Sequence, residues 1–249
     1  MKKLFAALLV LSFLIFAVGS AETLRVASSI DFPPYEFYDD ATGEIVGIEI
    51  EIMDIIAKDL GMDLEVTDTM FDSIIATVVS GKADIGVSGF TVTEERKQTV
   101  DFTDAYTEAM QAILVPEGSP IASVDDLFNP DNAFEIGVQQ GTTGDLYITD
   151  DVEANGLKHT IERYNKYGDA VAALISGKLD CMIVDGQVAI AFADANETLS
   201  VLDTAYALEE YAFCLAKENP LYDAINGELQ KLLADGTVQA IIDKYIVSD

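Results

Sequence analysis

Ser80 to Thr103 reads SGKADIGVSGFTVTEERKQTVDFT, and it falls into three pieces. Ser80-Gly81 reads as a helix stop, because glycine takes the left-handed position after a last turn at little steric cost. Ala83 to Val87 is a short apolar run of the kind a buried strand makes. Ser88-Gly89-Phe90-Thr91 then opens a polar turn, and Arg96 follows five residues later. A parallel strand that ends in small polar residues beside a cation suits a small anion, since open α/β sheets bind ligands just outside the carboxyl ends of their strands.

The motif recurs once. Ser80-Gly81-Lys82-Ala83-Asp84 is matched by Ser176-Gly177-Lys178-Leu179-Asp180, and at the same offset Ser88-Gly89 falls opposite Val184-Asp185. Ile74 to Val79 and Ala170 to Ile175, just upstream, are both apolar and helix-like. Two helix-turn-strand units, each ending in candidate ligand groups, predict two similar lobes facing a shared cleft. SGKxD also serves as an ordinary turn between a helix and a strand, and the pentapeptide alone does not choose.

Outward from the repeat, Leu24 to Ala27 reads as a first strand ending at Ser28-Ser29-Ile30-Asp31-Phe32-Pro33-Pro34-Tyr35, a loop stiffened by its two prolines. Ser29 and Phe32 could face the cleft there; Phe32 is equally well ordinary core, as aromatics usually are. Ile48, Ile52, Ile55, Ile56 and Leu60 fall at helical spacing and Gly61 stops the helix. Leu64 and Val66 give a second strand, and Asp72 or Ser73 is the expected cap of the next helix. Met110 to Val115 leads into Pro116-Glu117-Gly118-Ser119-Pro120, read as the crossing into lobe two. Phe134 to Val138 is a strand, and Gln139 to Gly144 opens a helix. The N–H groups at that helix start, with the hydroxyls of Thr142 and Thr143, suit a carboxylate or phosphate; simple capping by either threonine is the alternative. Asp185 could hold an ammonium group or merely cap a helix over 186–193. Leu199 to Leu202 is a strand, Tyr211 to Ala216 returns to lobe one, and helices over 221–233 and 238–246 finish the chain. The expected division is therefore 22–112 with 207–249 as lobe one and 113–206 as lobe two.

Composition sets further bounds. Lys2 and Lys3, an apolar run from Leu4 to Val18 and Gly19-Ser20-Ala21 make residues 1–21 a secretory signal peptide. Left uncut, it would tether the chain to a membrane. Half the residues are hydrophobic, enough for a real core and against disorder. The net charge of −30 becomes −32 once the two lysines leave with the signal, which excludes nucleic acid as a partner. Most of these carboxylates read as solvated surface. Cys181 and Cys214 both look like buried strand residues, and their assignment to different lobes predicts no bridge. His159, the single histidine, reads as surface loop or strand edge and as structural; no Cys/His cluster has metal-site spacing, and no cofactor is expected.

From about Thr23 to Ile246 the chain resembles the extracellular solute-binding proteins of the polar amino-acid family, receptors of ABC importers. The residues that carry the resemblance are Gly47-Ile48-Glu49-Ile50-Glu51-Ile52-Met53-Asp54-Ile55-Ile56-Ala57, Pro33-Pro34-Tyr35-Glu36, Thr91-Val92-Thr93-Glu94-Glu95-Arg96 with Val100-Asp101-Phe102, and Gly141-Thr142-Thr143. The resemblance implies the α/β periplasmic-binding-protein fold: two lobes, two hinge strands and a ligand cleft between them. It implies a monomer that binds a free amino acid and delivers it to a membrane ABC permease. Arg96 resembles the arginine that grips the α-carboxylate through a fork of two N–H donors, with Thr91 and the Gly89 backbone beside it. Thr143 resembles the lobe-two carboxylate donor and Asp185 the acid that takes the α-ammonium. Phe32 and Phe71 resemble the aromatics that sandwich the side chain; Ser88 and Gln139 resemble pocket-lining positions. Members that bind basic amino acids often have an acid where Ser29 stands; here the acid sits two positions on, at Asp31. The alternative is a periplasmic dehydratase-type enzyme on the same fold, which would need an acid or base beyond the two zwitterion anchors; no histidine or cysteine is placed for that, while the many spare glutamates leave it open.

Overall fold

The computed structural model describes residues 22–246, so the signal peptide expected over 1–21 lies outside the described residues. In chain order the first lobe runs through β1 (Thr23–Ser28), a hairpin of β2 (Phe37–Tyr38) and β3 (Ile45–Val46), α1 (Ile48–Asp59), β4 (Asp63–Asp68), α2 (Phe71–Val79), β5 (Ile85–Gly86), α3 (Glu94–Lys97) and β6 (Val100–Phe102). β7 (Thr107–Pro116) leads out, through a 3-10 turn (Val124–Phe128), to β8 (Glu135–Gln139), α4 (Thr143–Asn155), β9 (Thr160–Tyr164), α5 (Tyr167–Ile175), β10 (Cys181–Asp185), α6 (Gly186–Ala195) and β11 (Leu199–Val201). β12 (Ala207–Tyr211) leads back to β13 (Cys214–Ala216), α7 (Tyr222–Ala234) and α8 (Thr237–Tyr245).

Two sheets result, one per lobe. The first has the order β4-β1-β5-β13-β6 and the second β11-β7-β10-β8-β9, with β12 also on β7. β1, β4 and β5 are parallel, as are β8, β9 and β10. In such units the helices cover the sheet and the strands' carboxyl ends stay free for a ligand. The helices dock by apolar stripes: Ile48, Ile52 and Ile56 of α1 are all fully buried, each contributing about 1.5–3 kcal/mol of transfer energy.

The repeated SGKxD motif does the same job twice. Gly81 and Gly177 take φ of +72° and +71°. Each motif serine hydroxyl donates back into the helix it ends, Ser80 to Thr77 O and Ser176 to Ala173 O, both at 3.0 Å. Each motif aspartate accepts a backbone N–H from the neighbouring strand: Asp84 from Arg25 at 2.9 Å, Asp180 from Glu135 at 2.8 Å. The motif thus fixes where the strand leaves the helix, which places Ser88-Gly89 and Asp185 at matching strand ends.

Three expectations need correction. Tyr211 to Ala216 is not one returning strand: β12 pairs with β7 from Tyr211↔Thr107 to Ala207↔Gln111, and only β13 joins the first sheet. The crossing is therefore a two-stranded antiparallel ladder. Neither Asp72 nor Ser73 caps α2; its N-cap is Met70 and carries no side-chain cap. His159 is buried, not on the surface: its Nδ1 accepts from Phe134 N at 3.0 Å and its Nε2 pairs with Leu127 O at 2.7 Å, clipping β8 to the 3-10 turn. Cys181 and Cys214 are free, buried and in different sheets. No helix among the described residues is long and apolar enough to cross a membrane.

Candidate functional site

The carboxyl ends of both sheets face one interlobe cavity. Its walls are Ser29, Phe32, Phe71, Ser88, Gly89, Thr91, Arg96, Gln111, Gln139, Thr142, Thr143, Tyr167 and Tyr211. The lobes meet so closely that the void between them is about 10 Å³, room for about one water. Thr91 Oγ1 and Thr143 Oγ1 lie 3.3 Å apart, and Gln139 Nε2 donates to Ser29 Oγ at 3.4 Å. An amino-acid-sized ligand enters only when the lobes part.

Arg96 is the one charged residue on the wall. It sits on α3, whose first turn Thr93 caps by accepting from Arg96 N at 3.1 Å. The guanidinium gives Nη1 to Thr91 O at 2.9 Å and Nη2 to Gly141 O at 3.2 Å, across the cleft. It lies over the rings of Phe71 and Phe90 at 5.5 and 5.3 Å. Burial lowers its pKa, but a guanidinium stays charged. Arg96 joins none of the ion pairs among the described residues. A buried cation without a counter-ion costs several kcal/mol, so this corner is built for an anion. The start of α4 faces it: Thr142 caps by accepting from Asp145 N at 3.3 Å and donates its own hydroxyl to Gln139 O at 2.8 Å.

Gly89 has φ +54°, and a Cβ there would lie 2.5 Å from the Phe32 ring, so the turn admits only glycine. Phe32 stacks on Tyr35 at 5.3 Å and, across the cleft, on Tyr167 at 5.8 Å; Phe71 stacks on Phe90 at 4.8 Å. Phe32 and Phe71 thus each have a protein ring as partner.

Asp185 is the one expected site residue that is not on the cavity wall. It is buried, caps α6 by accepting from Gln187 N at 3.3 Å, and accepts the hydroxyl of Tyr211, which is on the wall. Burial pushes its pKa up to about 7, against the lowering effect of Tyr211. On the two crossing strands, Gln111 Nε2 donates to Glu209 Oε2 at 2.9 Å, while Gln111 Oε1 and Glu209 Oε1 are buried without partners. The site thus has a donor corner at Arg96 and an acceptor corner at Asp185, Glu209 and Gln111.

Gln111, Tyr167 and Tyr211 line the cavity without having been singled out in the sequence. For Tyr167 the signal was present: the offset that aligns the SGKxD units also aligns Tyr167, the first residue of α5, with Phe71, the first residue of α2. Gln111 and Tyr211 belong to the crossing ladder, whose register no motif announces.

Residues 24–248 match the family model described as bacterial extracellular solute-binding proteins, family 3. The chain belongs to this family. Within this solute-binding family the chain is similar to a protein of Neisseria gonorrhoeae described as a probable histidine-binding protein, at 29% identity covering 94% of this chain and 86% of that one. It is also similar to the crystallised substrate-binding protein of an amino acid ABC transporter, at 31% identity and TM-score 0.83, covering 91% of this chain and all of that one. A third likeness is to an ancestral arginine-binding protein solved with arginine bound, at 35% identity and TM-score 0.82, covering 90% and 98% of the two chains. An ancestral arginine-binding protein solved with glutamine bound is similar too, at 34% identity and TM-score 0.83, covering 92% of this chain and all of that one. These family members are binding proteins, and the solute-binding chain described here is not an enzyme. Among its described residues, no group of three or more His, Cys, Asp or Glu is placed to hold a metal ion.

Proposed function

We propose that the interlobe cavity binds a free amino acid by both ends of its zwitterion and that the loaded, monomeric protein presents it outside the cell to an ABC permease. The observation that carries this reading is Arg96, a buried cation without an acidic partner among the described residues. An α-carboxylate between its fork and the start of α4 supplies the missing charge. Thr91, Thr143 and the Gly89 turn stand beside it. The α-ammonium goes to the acceptor corner, where Asp185 gives the charge and Gln111 Oε1 a spare lone pair. Ser29, Phe32, Phe71, Ser88, Gln139, Tyr167 and Tyr211 surround the side chain. Closure draws the lobes (22–112 with 207–249, and 113–206) together on the β7–β12 ladder, giving a membrane partner two shapes to tell apart. Removal of residues 1–21 releases the chain from the membrane.

Arg96→Met tests the reading. Replacing a buried unpaired cation by an apolar side chain of similar volume is neutral or stabilising, so the unliganded melting temperature should hold or rise. Ligand affinity by titration calorimetry should fall by about 30-fold or more, the cost of truncating one partner of a buried charge pair. Arg96→Lys, which keeps the charge and loses the fork, should also weaken binding. Wild-type affinity in Arg96→Met would end the reading.

A further inference from the structure

The acids at the Ser29 end of the cavity are already committed. None of the thirteen wall residues is Asp or Glu. The acid nearest the Ser29 end, Asp31, accepts from Ser29 Oγ at 2.8 Å and from Tyr167 N at 2.6 Å, and pairs with Lys166 Nζ at 3.7 Å. Lys166 reaches over from the second lobe, where it precedes α5. Its ammonium lies 2.7 Å from Asp68 and 3.2 Å from Ser29 Oγ. Gln139 Nε2 also points at Ser29 Oγ. The Ser29 hydroxyl therefore spends its proton on Asp31 and both lone pairs on nitrogen donors. A ligand side chain reaching this end meets the Lys166 ammonium before it meets a carboxylate.

We infer that Lys166, by occupying Asp31 and Asp68, sets the ligand class, selecting amino acids with uncharged side chains over arginine and lysine. This rests on the amino-acid reading above. A cationic side chain at the Ser29 end would be desolvated beside Lys166 with both nearby acids, Asp31 and Asp68, already paired, and such an uncompensated charge is strongly disfavoured. The two phenylalanines are also engaged within their own lobe. Arg96 lies over Phe71, and Phe32 stacks on Tyr35. An uncharged side chain carries no such cost.

The test is a thermal-shift screen of the full secreted chain with the twenty amino acids, followed by calorimetry with the best uncharged ligand, arginine and lysine. In the wild type an uncharged ligand should bind at least about 30-fold tighter than arginine or lysine. Lys166→Met keeps the length, drops the charge and frees Asp31. Both affinities can fall with the lost interlobe contact, but the ratio of arginine to uncharged affinity should rise about tenfold or more. Adding Asp31→Asn and Asp68→Asn together should cancel that rise. A loss of packing alone would leave the ratio where it was. Lys166→Gln repeats the test should the methionine variant not fold. Wild-type preference for arginine or lysine, or an unchanged ratio in the Lys166 variants, overturns the inference and leaves the receptor reading standing. Binding by none of the twenty overturns both.

Discussion

Glu36 and Glu49 are wholly buried, one in the proline loop and one on α1, and join none of the ion pairs among the described residues. Glu49 accepts Gly89 N through both carboxylate oxygens at 3.1 Å and the Tyr106 hydroxyl at 2.6 Å; Glu36 accepts the Ser88 hydroxyl at 2.8 Å. Two acids thus hold the Ser88-Gly89 turn of the cavity from behind. Burial first, then the neighbouring Glu49, holds the Glu36 carboxyl well above the ordinary range. Its Oε2 is buried without a partner. Asp31, Tyr35 and Tyr106 face the pair and add no positive charge. A carboxyl whose folded pKa is raised binds more protons folded than unfolded, so it stabilises fully below its unfolded pKa of about 4.3 and loses that stability as pH rises towards the folded value. Asp185 acts in the same direction, between about 3.9 unfolded and about 7 folded. The urea midpoint of the unliganded protein should therefore fall from pH 5 to pH 8. Global repulsion at a formal −32 for residues 22–249 contributes a slope too, so the variants decide: Glu36→Gln and Asp185→Asn should each flatten the profile. A midpoint that rises with pH, or slopes unmoved by both substitutions, would refute the assignment. Ligand binding runs the opposite way, since an ammonium beside Asp185 needs it ionised, and affinity should strengthen as pH rises through about 7.

Helix α1 shows what one element needs from the rest of the chain. No side chain caps it. Its first N–H groups are taken by the proline loop, Ile48 N by Pro34 O at 3.1 Å and Glu49 N by Tyr35 O at 3.0 Å. Gly47 permits this approach: its φ is +133°, and a Cβ there would lie 2.1 Å from Tyr35 O. Gly47→Ala should cost about 3 kcal/mol or more, through backbone strain and overpacking together, and should disturb binding through Glu49 and Gly89. A urea midpoint within error of wild type would show the loop yields more easily than the geometry allows. The aliphatic stripe of α1, the αL glycines ending α2 and α5, and the strand ends at Ser88 and Asp185 were all legible, because each depends on residues close in sequence. The docking of Pro34 on Ile48, the burial of His159 and the β7–β12 register were not, because each partner lies far along the chain. Capping failed at α2 for the same reason: Asp72 fits a local rule, but its Oδ2 instead accepts Gln140 Nε2 of the second lobe at 2.9 Å.

At the scale of the molecule, closure sets charge repulsion against a few contacts. Residues 22–112 and 207–249 hold 28 acids and 8 bases, a formal −20; residues 113–206 hold 16 acids and 4 bases, a formal −12. Both lobes are strongly negative, and closing brings them together. Against this stand the pairs of Lys166 with Asp68 and Asp31, the Gln140–Asp72 bond and Arg96 on Gly141 O. Added salt weakens both sides. The Lys166 pairs are partly exposed, and such pairs are worth about 0–1 kcal/mol, so salt has little to remove there. The lobe repulsion acts over many charges and is long-ranged: the screening length is about 30 Å at 0.01 M salt and about 10 Å at 0.1 M. Repulsion therefore loses more than the latch, and salt should favour closure. Small-angle scattering of the unliganded protein should show a radius of gyration that falls between 0.01 and 0.5 M sodium chloride. Ligand affinity should tighten over the same range, because the cost of closing is part of the cost of binding. Saturating ligand should give the small radius at every salt concentration. A radius that grows with salt, or affinity that weakens across the range, would mean the interlobe ion pairs outweigh the repulsion between the two acidic lobes.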